Sequence, residues 1–144
     1  MIPCYSNLRY SKHRTGDMQH KHFHEPTSLQ AVTDRGLALL ARSPHKIAYF
    51  HCPVPLSAMS SLSEYYAPLS ELYPALQDHG CKLYLGLVHF DDLQGIKLRI
   101  EEASKLAPVF GVATECGLGR TPTEQVERIM ELMAEVSVPV FSAS

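Results

Sequence analysis

The chain has 144 residues, 45% of them hydrophobic and 19% charged, with a formal net charge of −2 at pH 7. That is the size and balance of one globular domain, residues 1–144, able to bury a sizeable core. It excludes a nucleic-acid surface, which would need a basic stripe with interleaved aromatics, and no apolar run approaches the roughly 18 residues of a membrane helix. The start, "MIPCYSNLRYSKHR", has no signal-peptide apolar segment. The expectation is a cytoplasmic protein that binds neither nucleic acid nor membrane. Cys4, Cys52, Cys81 and Cys116 are dispersed with no CxxC pair, which points to reduced thiols rather than a disulfide framework.

In chain order, "NLRYSKHR" at Asn7–Arg14 is a weakly patterned strand candidate. "SLQAVTDRGLALLARS" is an amphipathic helix with Leu29, Val32, Leu37 and Leu40 facing inward, weakened by Gly36. "HKIAYFHCPVP", His45–Pro55, is a short apolar run rich in aromatics and closed by prolines, the pattern of a buried strand. "LSEYYAPLSELYPALQDHG" is helical but interrupted by Pro68 and Pro74, with Gly80 as its stop. "CKLYLGLVHF", Cys81–Phe90, is the next strand. "DDLQGIKLRIEEASKLA" places Leu93, Ile96, Ile100, Ala103 and Leu106 on one helix face with Asp91 or Asp92 as cap, and leaves "RIEEASK" as a solvated face. "PVFGVATECG", Pro108–Gly117, is another strand, and "EQVERIMELMAEV" after Pro122 is a helix with Val126, Ile129, Met130, Met133 and Val136 inward. Strands alternating with helices predict an α/β fold with a parallel sheet and right-handed crossovers. Counting Asn7–Arg14, four strand–helix units make either a small open sheet or half of an eight-stranded barrel.

In both arrangements chemistry belongs in the loops after the strand C-termini, and those loops carry "TGDMQHKHFHEP", "HCPVP", "HFDD" and "ECGLGRTP". His51 and Cys52 end one strand, His89 the next, and Glu115 and Cys116 the third, so all five can converge on one pocket. Arg120, entering the last helix, offers a fork of donors to a carboxylate or phosphate. In "QHKHFHEP" the alternating His20, His22 and His24 would point one way in an extended segment, flanked by Asp17 and Glu25. Such a set reads either as a metal site or as solvated histidines.

"LYLGLVHFDDLQGIKLRIEEASKLAPVFGVATECGLGRTP", together with "HCPVP", "EYYAPLSELY" and "GDMQHKHFHEP", resembles the C-terminal catalytic barrel of cobalamin-independent methionine synthase. It resembles in particular the shorter proteins grouped with that enzyme and with uroporphyrinogen decarboxylase. The resemblance spans about Gly16 to Val136 and implies strands five to eight of a (β/α)8 barrel, half of the family fold. Completion by a second copy, a homodimer of two half-barrels covering one another, is the expected assembly. The resemblance also implies that Cys116 stands where the family places a zinc ligand that activates a thiol. Where the family has a His-x-Cys ligand pair, this chain has Lys12 and Arg14, and His51 stands near the glutamate ligand.

These departures favour a repurposed, metal-free enzyme without cofactor, which isomerises or cyclises a small, largely apolar metabolite, pericyclic closure included. His89, Glu115 and His51 would be its acid–base groups. Arg120, Cys116, Cys52, Arg14, Lys12, Asp17 and His20 would line its substrate pocket. Two alternatives stand beside it. One is zinc-dependent methyl transfer to a thiol through Cys116, His51 and His20. The other is a non-catalytic accessory half-barrel.

Overall fold

The computed structural model describes residues 25–119 and 121–138. Three strands form one sheet, β1 (Tyr49–Pro53), β2 (Lys82–Val88) and β3 (Gly111–Thr114), in that spatial order. Both pairings are parallel: Tyr49 to Pro53 lie beside Lys82 to Gly86, and Tyr84, Leu85 and Val88 lie beside Gly111, Val112 and Thr114. Around them are α1 (Gln30–Arg42), α2 (Leu62–Tyr66), α3 (Leu69–Asp78), α4 (Leu93–Ser104) and α5 (Thr123–Val136), with a 3-10 turn at Leu56–Ser61. The class is α/β, as the alternating pattern predicts, and the described sheet is a partial α/β unit. The strand expected at Asn7–Arg14 lies outside the described residues.

One face of the sheet makes the core. Phe50 and Cys52 of β1 and Leu83, Leu85 and Leu87 of β2 are at most 1% exposed. They form a single cluster with Leu29, Val32, Leu40, Leu69, Leu72, Leu76, Ile96, Ala103, Ile129 and Leu132 from the helical segments. Gly36, read as a weak point of α1, is where that helix seats: a Cβ there would fall 2.9 Å from both Leu72 Cδ1 and Phe50 Cζ. The intervening residues point the other way. Tyr49 and His51 are half-buried, and Lys82 and Tyr84 are exposed, Tyr84 to 36%.

Three local expectations are corrected. Pro74 does not interrupt its helix but lies inside α3, and the break falls at Ala67–Pro68. A proline in a helix interior costs about 3 kcal/mol, whereas burying Leu69, Leu72 and Leu76 on that helix returns roughly 1.5–3 kcal/mol each. Met130 is exposed, because the buried stripe of α5 runs through Ile129 and Leu132 with Met133 and Val136 beside them. Arg99, placed by its neighbours on a solvated face, is completely buried.

Other boundaries are held as expected. Gly80, with φ 60°, ends α3 in a Schellman arrangement in which Gly80 N–H donates to Gln77 O at 2.9 Å and Cys81 N–H to Leu76 O at 2.8 Å. Asp92 is the cap of α4, its Oδ1 accepting from Gly95 N at 3.1 Å.

Candidate functional site

The C-terminal ends of the strands are drawn together by specific contacts. Tyr65 Oη on α2 donates to Pro53 O at 2.9 Å, which fixes the end of β1 from below. His89, just past β2, donates from Nε2 to Val54 O at 2.8 Å, joining the loop after β2 to the loop after β1. Ser57 Oγ donates to Glu25 Oε2, so the segment leading into α1 is brought to the same end.

At the centre is Gly86. Two residues of β2, Gly86 and Leu87, stand against one of β3, Ala113, between Leu85–Val112 and Val88–Thr114, a local irregularity that re-aims the strand end. A Cβ on Gly86 would come within 2.7 Å of His51 Nε2, 2.8 Å of Thr114 O and 2.9 Å of Glu115 Cα. Only glycine leaves room for His51 to cross β2 from β1, and its Nε2 donates to Thr114 O on β3 at 3.1 Å. That bond puts an imidazole proton on Nε2. The imidazole and the Glu115 backbone are therefore no further apart than the two distances to that one missing carbon.

Glu115 follows β3 and is half-buried. Burial of its carboxyl, reinforced by the Glu25 carboxylate, pushes its pKa up to about 7, against the opposing pull of His51 and Arg99. A carboxyl group of that acidity can give and take a proton at neutral pH, which an ordinary glutamate cannot. His89 shifts the other way, held down mainly by burial.

Beneath the site Arg99 reaches up from α4. Its guanidinium donates to Leu87 O at 3.1 Å and to Asp92 Oδ2 at 2.6 Å. One carboxylate thus caps α4 and also neutralises a buried cation. This clamp was not read from the sequence. An arginine seven residues after a capping aspartate is ordinary on a helix, and only its burial marks it.

The structure brings His51, Glu115 and Glu25 together, with His89 beside them and Cys116 next in the chain after Glu115. It does not bring Cys52, which lies fully buried on the opposite, core face of β1, its thiol pKa driven up by burial. The alternation of side chains along a strand separates it from His51. Lys12, Arg14, Asp17, His20 and Arg120 lie outside the described residues.

Among the described residues no three His, Cys, Asp or Glu side chains are grouped so that they could hold a metal ion. Of the zinc set implied by the resemblance, Cys116 and His51 are described and His20 is not, two of the roughly three ligands a catalytic zinc needs. Among the described residues no helix is long and apolar enough to cross a membrane. No family model, curated protein or solved structure matches the chain.

Proposed function

We propose that this is an acid–base enzyme acting on a small, largely apolar metabolite, moving a proton in an isomerisation or cyclisation. The observation that carries the reading is the half-buried Glu115 carboxyl, with a pKa near neutrality, on a backbone that the gap at Gly86 sets beside His51. Glu115 is the proton carrier: ionised, it removes a proton next to a carbonyl, and protonated, it returns one to the rearranged skeleton. His51, oriented by the Thr114 carbonyl, is the second acid–base group. The resemblance to the methionine synthase barrel supports the placement of such a site at the strand C-termini. Zinc-dependent methyl transfer remains the competing reading, favoured by Cys116 directly following Glu115 and half-exposed.

The test is deuterium uptake from heavy water into the α-positions of small ketones (acetone, cyclohexyl methyl ketone and acetophenone). Uptake is expected to exceed the uncatalysed rate, to vanish in Glu115→Gln and to survive Cys116→Ser. Uptake unaffected by Glu115→Gln, or absent altogether, contradicts the reading.

We further propose a homodimer. Parallel sheets are ordinarily covered on both faces, whereas the face bearing Tyr49, His51 and Tyr84 is only partly covered by the described residues. A second half-barrel would cover it, and so would a larger homologue if the chain is an accessory half-barrel.

A further inference from the structure

The loop after β2 contains an arrangement that core packing does not require. Phe90 is 45% exposed, although the other described tyrosines and phenylalanines are more deeply covered. The next residue, Asp91, has φ 52°, the only positive φ among the described non-glycine residues. A left-handed non-glycine residue is a cost that surrounding structure must hold in place, and such residues cluster at functional sites. Here the holding structure is explicit. Asp92 is clamped by the fully buried Arg99 and by Gly95 N, and His89 by Val54 O. The two residues between these anchors, Phe90 and Asp91, have their path dictated from both sides.

This path keeps Phe90 in the loop after β2, at the same end of the sheet as Glu115. Val88 pairs with Thr114. Phe90 lies two residues past the first and Glu115 one past the second, so chain geometry caps their Cα separation at about 16 Å. A ring and a carboxyl on side chains of that length can touch the two ends of one small molecule. Leu56, 55% exposed in the loop that Val54 joins to His89, adds a second apolar group at this end of the sheet. Single exposed apolar residues need no explanation, but this one is held by a buried ion pair and a left-handed aspartate.

We propose that Phe90 is the specificity-determining residue of the site, stacking on an aromatic or flat unsaturated ring of the substrate, with Asp92 and Arg99 as its positioning residues. The inference rests on the acid–base reading above and narrows its substrate class to ring-bearing carbonyl compounds.

The probes are acetophenone, cyclohexyl methyl ketone and acetone, each titrated by NMR against the full chain and scored for deuterium uptake. Acetophenone is expected to bind more tightly than the other two. Phe90→Ala should weaken acetophenone by roughly five- to tenfold, the scale of one lost aromatic pair, and leave acetone unchanged. Phe90→Trp should restore the preference. Because Phe90 is exposed, the melting temperature should not move. A wild-type protein that binds acetophenone no better than acetone, or an acetophenone preference retained in Phe90→Ala, overturns the proposal. The two readings separate cleanly. Uptake that depends on Glu115 with no ring preference removes the Phe90 inference alone. A Phe90-dependent preference without any uptake removes the acid–base reading alone.

Discussion

Glu115 is the residue whose environment is most unlike water, and its shift has a consequence for stability. Its carboxyl has a pKa near 7 in the folded chain and an ordinary glutamate value when unfolded. Between those values the folded state binds the proton more tightly, so the contribution is fully present below about pH 4.5 and is lost as pH rises through 7. Glu115→Gln, which cannot ionise, should match the wild type near pH 4.5. At pH 8 it should be more stable by about 1–2 kcal/mol, allowing for the group's partial exposure, as chemical denaturation at the two pH values will show. Gly86 permits the same site sterically. Gly86→Ala must displace a histidine nitrogen and two backbone positions, and should cost about 1–3 kcal/mol. It should also push the Glu115 pKa further up, because His51, whose pull opposes the rise, moves away from the end of β3.

Among the elements, α4 is the one whose helical character and whose function read differently in the sequence. Its Asp92 cap and the Ile96–Ile100–Ala103 stripe follow from spacing. Arg99 does not, because a charged side chain on the far side of a stripe reads as solvated until tertiary contacts bury it. Asp92→Ala removes a cap and leaves the buried guanidinium without its carboxylate, and should cost about 3–5 kcal/mol in denaturant unfolding. Asp92→Asn, which keeps the cap, should cost less. The three described strands were equally legible, each an apolar run with prolines, glycine or polar residues at its ends. Their faces were not. His51 and Cys52 are adjacent letters, and only the pleat decides that one joins the site and the other the core. Glu115 was legible as a residue at a strand end. Its acidity was not, since that depends on burial and on Glu25, which is 90 residues away in the chain. At α5 the expected inward stripe included Met130 and left out Leu132, whereas the structure buries Ile129 and Leu132 and exposes Met130.

At the scale of the whole molecule, the helical core covers one face of the sheet and leaves Tyr49 and Tyr84, in edge-to-face contact at 5.7 Å, on the other. If a second copy covers that face, light scattering at micromolar concentration will give twice the chain mass, and Tyr84→Glu will shift the protein towards monomer. A wild-type monomer would remove the half-barrel assembly. The site itself is a whole-molecule property. His51 comes from β1, Glu115 from the end of β3, Arg99 from α4 and Glu25 from the segment before α1, and burial with Glu25, opposed by His51 and Arg99, sets a glutamate that trades protons at neutral pH. The most direct measurement is a carbon-13 NMR titration of the Glu115 side-chain carboxyl in the full chain, assigned by its loss in Glu115→Gln. A midpoint near pH 7 is the predicted result, and a midpoint at the ordinary glutamate value near 4.5 would contradict the account.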